Sequence, residues 1–322
     1  MTTSSSDKSK AAKPPHNARR LAASAVGLCA AAVFTLLTPH ATAQEAQRRQ
    51  YESMPTMPAA GTPSTPQITF PEAEDEEIGK QFLLRRRVAI PQFSLSGDTQ
   101  YFYNSNPRLL EDNASDDFLF VGSTTIAWNP TWIKGATVSA FGRQQFFRYN
   151  NSSDMDFNST AFGLSVGTPV RDWFNVSYGY TATRLESRPT GDSFYDEGDV
   201  SVSFSRNETF GPRMALPYGY TMDYFHTSPG SFNRVTHGIF AGLNYAITPK
   251  LLGQFFYRFQ YEDYNNISRE DRSHVLSITL SYFITNWASV RAFASWSTNK
   301  STIDRNYDAL SSGVGASVVW KF

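Results

Sequence analysis

The sequence predicts an all-β fold: a transmembrane antiparallel up-and-down β-barrel of about twelve strands. Three observations predict it. Residues 91–322 read as strands punctuated by turns, with no helical period. The connections alternate between tight turns and longer polar loops. The strands carry apolar residues on one face and small or polar residues on the other, and the chain ends on the aromatic Phe322.

The elements follow in chain order. Residues 1–43 read as a secretory signal peptide. Lys8, Lys10, Lys13, Arg19 and Arg20 precede the uncharged run "LAASAVGLCAAAVFTLL", and Ala41-Thr42-Ala43 forms an A-x-A cleavage box. A single transmembrane anchor is the alternative to a signal peptide. Leu28 before Cys29 does not fit a lipoprotein signal, which wants a small residue there. Cleavage leaves a mature chain that starts near Gln44 without cysteine, hence without disulfide or thiol chemistry. The formal net charge of zero argues against a nucleic-acid partner. The mature part has no apolar run long enough for a membrane-spanning helix.

Residues 44–90 read as a periplasmic linker, disordered or with a short helix. "SMPTMPAAGTPSTP" is Pro-, Ser- and Thr-rich. The acidic block Glu72 to Glu77 precedes Arg85, Arg86 and Arg87, either as a solvated charge run or as a segment that enters and narrows a barrel lumen.

Twelve strands follow: "FSLSGDTQYFYN", "DFLFVGSTTIAW", "KGATVSAFGRQQFFRY", "NSTAFGLSVG", "WFNVSYGYTATRL" and "DVSVSFSRN" in the first half. "RMALPYGYTMDYF", "THGIFAGLNYAI", "LLGQFFYRFQYED", "HVLSITLSYFI", "ASVRAFASWST" and "SGVGASVVWKF" make the second. "NPTWIKG", "TPVRDW", "ETFGPR", "ITPKL" and "ITNW" read as tight turns. "NSNPRLLEDNASDD", "NNSSDMD", "ESRPTGDSFYDEG", "EDYNNISREDR" and "TNKSTIDRNYD" read as the longer loops.

The faces separate cleanly. Leu251, Phe255, Tyr257, Phe259 and Tyr261 oppose Gln254, Arg258, Gln260 and Glu262. Leu276, Ile278 and Leu280 oppose Ser277, Thr279 and Ser281. A closed sheet with lipid outside and water inside satisfies both faces at once, because no backbone edge is left unpaired. Tyrosines near strand ends form interfacial girdles, which accounts for an aromatic content of 15%. A large secreted β-sandwich is the soluble alternative.

The terminal strand carries a resemblance. Val318, Trp320 and Phe322 match the alternating C-terminal signal of Gram-negative outer-membrane β-barrels, and the chain from Pro91 to Phe322 resembles a porin-like member of that class. The resemblance implies an outer-membrane location and recognition of this end by the barrel-assembly machinery. It names no solute.

The lumen is then the candidate site. Asp98, Gln100, Arg143, Asp223, Gln254, Arg258, Gln260 and Arg291 index inward as pore-lining residues. Ser94, Ser96, Ser201, Ser203, Gly238 and Gly242 leave room, whereas Phe102, Phe240, Phe256 and Phe293 narrow it. The charged residues either set a transverse field for polar or anionic solutes or form ion pairs within the wall.

The expected function is passive diffusion of small polar solutes, without a chemical step, cofactor or metal. The oligomeric state is open. A structural or surface-interaction barrel with an occluded lumen is the alternative. A third reading comes from "FHTSPGSFN", where His226, Ser228 and Gly230 resemble the H-x-S-x-G element of outer-membrane phospholipases; Pro229 departs from that pattern. "DNASDD" and "NNSSDMD" cluster oxygen ligands without fitting a calcium loop.

Overall fold

The structure is a computed structural model, and it describes residues 41, 43–130, 133, 135–171, 173–303 and 305–322 apart from 53–90. The expected signal peptide, save Ala41 and Ala43, and the acidic and basic runs between Glu72 and Arg87 lie outside the described residues.

Twelve antiparallel strands close into one barrel. They are β1 Phe93–Asn104, β2 Asp117–Trp128, β3 Thr137–Tyr149, β4 Phe157–Val170, β5 Phe174–Ser187 and β6 Ser193–Phe210. The circuit continues with β7 Met214–Ser228, β8 Arg234–Thr248, β9 Leu251–Tyr264, β10 Arg269–Thr285, β11 Ala288–Ser301 and β12 Tyr307–Lys321. Each strand pairs with its neighbours in sequence, and β1 closes on β12 from Ser94–Lys321 to Asn104–Ser311. Closure leaves no strand edge, the condition for a sheet in hydrocarbon.

Side chains sort by parity along every strand. On β10, Ile278, Leu280, Tyr282 and Ile284 are exposed outward while Val275, Ser277 and Thr279 are buried inward. On β12, Val314, Val318 and Trp320 face out, and the one apolar misfit in the polar register, Val319, is buried inward. Phe322 completes the seam. Its backbone N–H donates to the Phe93 carbonyl (2.9 Å), its carbonyl accepts from the Phe93 N–H (3.0 Å), and the two rings stack at 6.0 Å. Trp128 stacks on Phe93 from the other side, so the chain end is part of an aromatic rim at the turn end of the barrel.

The strands run further into the loops than local alternation suggests. "ESRPTGDSFYDEG" is mostly strand: β5 reaches Ser187 and β6 begins at Ser193. "EDYNNISREDR" and "TNKSTIDRNYD" likewise shrink to 265–268 and 302–306. Cross-strand pairing extends these polar segments, which carry no alternating hydrophobic signal because they stand above the apolar band. At the other end β6 and β7 are joined by 211–213, β8 and β9 by 249–250, and β10 and β11 by 286–287; β4 ends at Val170 and β5 begins at Phe174, and the longer interval is the one from Trp128 of β2 to Thr137 of β3.

The two acidic loop stretches are held by their own carboxylates. Asp117 accepts the backbone N–H groups of Asn151 and Ser152, and Asp156 accepts that of Tyr149 and an ion pair from Arg188 (2.9 Å). Those oxygens order the β3–β4 loop.

Candidate lumen site

Four of the inward phenylalanines sit opposite glycines across a strand pair. Phe240 pairs with Gly219, Phe256 with Gly242, Phe141 with Gly163, and Phe102 with Gly313. A Cβ on Gly219 would meet the Phe240 ring at 2.7 Å, so the ring rests against bare backbone. At Gly163 and Gly219 the absent Cβ lets a ring lie over the backbone, the pairing that restores packing over a strand glycine. Phe293 then packs edge-on against Phe102 at 5.7 Å, and Phe256 stacks on Phe240 at 6.1 Å.

The lumen also holds a helix, α1, residues 43–52. Its sequence, "AQEAQRRQYE", is a strong helix former. Its side chains reach strands around the whole circumference. Gln44 donates to the Met155 carbonyl (2.9 Å), Gln47 to the Pro107 carbonyl (3.3 Å), and Asn104 donates to Gln47 (3.1 Å). Gln50 donates to Ser297 (3.1 Å) and Tyr51 to Asp98 (2.8 Å). The first residues therefore meet the loop end, and Tyr51 and Glu52 reach mid-barrel, where Glu52 pairs with Arg143 (2.9 Å).

A charged network clamps the helix. Arg48 pairs with Glu197 (2.9 Å), and Arg49 pairs with Glu262. Glu45 pairs with Arg234 (3.0 Å) and Arg49 (2.7 Å). Arg234 has no exposed surface and also faces Phe225, whose ring centre lies 4.0 Å from its guanidinium carbon. So many charges persist away from bulk water only because each has an opposite partner.

All eight expected pore-lining residues face the lumen. Asp98 and Arg291 form one bidentate pair (2.7 and 2.8 Å), to which Ser317 donates a hydrogen bond. Arg143 is paired with the helix. Gln254 donates to Asn244 (3.1 Å), and Gln100 is buried with neither amide atom bonded among the described residues. Asp223 and Arg258 face in from β7 and β9, and Gln260 lies opposite Gly238 and Ser273. For Asp98–Arg291 and Arg143–Glu52 the wall charges are thus ion pairs. The residues that hold the helix, Glu197 and Arg234, are absent from the sequence-derived set. Glu197 sits in what reads as loop, and the glutamates and arginines of α1 sit in what reads as linker. The usable signal is a repeated tyrosine two residues from an inward glutamate: Tyr195 with Glu197, and Glu262 with Tyr264.

His226 and Ser228 both point outward near the loop end of β7, and Thr227 between them is buried inward. His237 and His274 also face outward, bonded to the hydroxyls of Tyr220 (2.6 Å) and Tyr257 (2.9 Å).

A closed antiparallel barrel with an apolar outer band, aromatic rims and a polar interior has the architecture of an outer-membrane-type β-barrel. No protein-family model matches the chain, and no curated protein matches it in sequence. Among solved structures it is similar to an outer-membrane channel from Pseudomonas putida F1, at 10% identity and a TM-score of 0.48 over 72% of this chain and 97% of that one. It is also similar to LpxR from Salmonella typhimurium, at 8% identity and 0.43 over 71% and 100%. An anion-selective porin from Comamonas acidovorans aligns at 8% identity and 0.39 over 71% and 98%. These are likenesses of barrel architecture.

Proposed function

We propose that the chain is an outer-membrane channel for passive diffusion of small polar solutes, and that helix α1 restricts its loop half. The carrying observation is the interior itself. Twelve strands turn serine, threonine, glutamine, glycine and charged residues inward, and the rings of Phe141 and Phe240 lie over the bare backbone of Gly163 and Gly219. A wall built to be a dry core would instead interlock bulky apolar groups.

In this reading the signal peptide delivers a mature chain starting near Gln44. The assembly machinery recognises Val318, Trp320 and Phe322, and the turn end faces the periplasm. No chemical step is involved. The pore-lining set, Asp98, Gln100, Arg143, Asp223, Gln254, Arg258, Gln260 and Arg291, biases which ions pass.

Single-channel recording in planar bilayers is the test. The purified chain is expected to conduct small ions, with conductance rising when Arg48 and Arg49 are replaced by alanine. Replacing Arg258 by Ser removes an inward positive charge and shifts selectivity toward cations. Replacing Arg291 by Ser does the same by leaving Asp98 unpaired. A chain silent in every variant favours the occluded, structural barrel, a reading that the clamped helix supports. His226→Ala and Ser228→Ala are expected to leave conductance unchanged, and purified protein that hydrolyses phospholipid, losing that activity in these variants, overturns the non-enzymatic reading.

A further inference from the structure

Glu197 and Glu262 are prepared in the same way. The Oε2 of Glu197 accepts a hydrogen bond from the Tyr195 hydroxyl (2.6 Å), and the Oε2 of Glu262 accepts one from the Tyr264 hydroxyl (3.0 Å). Each tyrosine is buried and lies two residues from its glutamate on the same inward face. In both cases the other oxygen, Oε1, takes an arginine of α1: Arg48 for Glu197 and Arg49 for Glu262. Arg234 stands between the two carboxylates, 3.7 Å from Glu197 and 3.8 Å from Glu262. Among these three side chains the wall offers two oriented carboxylates against one fixed guanidinium, a net charge of −1, and with α1 seated on them they are 0–6% exposed.

From this arrangement we propose that Glu197, Arg234 and Glu262 form a recognition site for solutes bearing a guanidinium group, and that Arg48 and Arg49 of α1 occupy it as an intramolecular ligand. The proposal rests on the channel reading, because it names the solute class that the lumen holds once the helix withdraws. Three physical facts favour a guanidinium. A carboxylate with one oxygen held and one presented accepts a planar N–H donor in a defined direction. Guanidinium is weakly hydrated and tolerates a buried site better than an ammonium ion. Tyr264 and Phe225 add aromatic faces beside the charges, and the Arg234 guanidinium carbon already lies 5.9 and 4.0 Å from those ring centres. Covalent attachment in α1 gives the resident arginines a high effective concentration, so a free solute competes only when the helix is weakened or gone.

Chemical rescue tests the site in the full chain. The variant with both Arg48→Ala and Arg49→Ala frees the Oε1 atoms of Glu197 and Glu262, and also removes an arginine from Glu52 and from Glu45 of α1, which the glutamine controls below separate from the wall site. Guanidinium chloride or L-arginine at millimolar concentration is expected to raise its Tm in detergent saturably, by ~3–6 °C at about ten times the Kd. Sodium chloride and methylammonium chloride at equal ionic strength serve as references and are expected to do little. The parent chain, with its site filled, is expected not to respond. Adding Glu197→Gln and Glu262→Gln to the double variant is expected to abolish the response. If the double variant does not assemble, Arg49→Ala alone carries the test, with Glu262→Gln as its partner. Equal responses in parent and variant, an equal response to methylammonium, or a response that survives the glutamine substitutions overturns the proposal. Conductance is read separately. Saturable binding in a barrel that passes no ions removes the channel reading and keeps the site, whereas conduction without binding removes the site alone.

Discussion

Ile278→Arg tests which face of the wall meets lipid. Ile278 lies mid-strand on the outer face of β10, 58% exposed, beside Phe255 of β9 and Ala294 of β11. Ile284 lies on the same face of the same strand near the turn end, 50% exposed. The separation of six positions corresponds to ~20 Å along the strand at ~3.3 Å per residue. A strand tilted by ~40° turns this into ~15 Å along the barrel axis. The apolar band of such a barrel is ~25 Å tall, so half of it is ~12 Å. Ile284 therefore reaches the interface when Ile278 is near the midplane. An arginine at the midplane costs ~2–4 kcal/mol and one at the interface ~0–1 kcal/mol. Ile278→Arg is thus expected to lower stability by ~2–4 kcal/mol, and Ile284→Arg by about a quarter of that. Ser277→Arg, one residue away on the lumen side, is expected to cost less than Ile278→Arg. Urea titration of barrels folded into lipid vesicles measures all three, by tryptophan fluorescence and by the mobility shift of unheated samples. Equal costs at 278 and 284, or a larger cost at 277 than at 278, refutes a lipid-facing outer wall.

Three further outcomes follow from the same geometry. Deleting Phe322 removes two seam hydrogen bonds and the ring stacked on Phe93, so assembly yield is expected to fall while export persists; normal amounts of heat-modifiable protein in the outer membrane would contradict this. Arg234→Leu strips the common partner from Glu45, Glu197 and Glu262, and breaking a buried pair from one side costs ~3–5 kcal/mol; a urea midpoint close to the parent's would show that the network contributes little. Gly163→Ala places a methyl where the Phe141 ring rests, so the ring must swing toward the lumen, with an expected loss of ~1–3 kcal/mol; conductance recorded alongside should fall if the swung ring enters the passage.

The candidate site was legible only in part. Inward parity alone identified Asp98, Arg143, Arg258 and Arg291, because in a strand two-residue alternation assigns a face without any knowledge of partners. Parity could not say that Asp98 and Arg291 are one bidentate pair, since they are far apart in sequence and meet only where β12 closes the sheet between β1 and β11. Glu197 went unrecognised because its segment is polar on both faces. Above the apolar band a strand has no hydrophobic contrast to reveal it.

The sequence by itself determined most of the strands, their approximate number, the closed antiparallel order and the outer face, because each follows from local alternation, turn residues and the need to leave no edge in lipid. The aromatic end at Phe322 belongs with these, since it completes an alternation visible in the last ten residues. Only the tertiary structure decided what fills the lumen. Residues 43–52 have a composition that favours a helix, but ten polar residues do not show whether that helix stands in solvent or inside the barrel. The helix is selected by carboxylates and arginines on β3, β6, β8 and β9, groups that converge only after closure brings the inner faces around a common axis. Long-range electrostatic pairing depends on which walls face each other, and that is a property of the closed barrel.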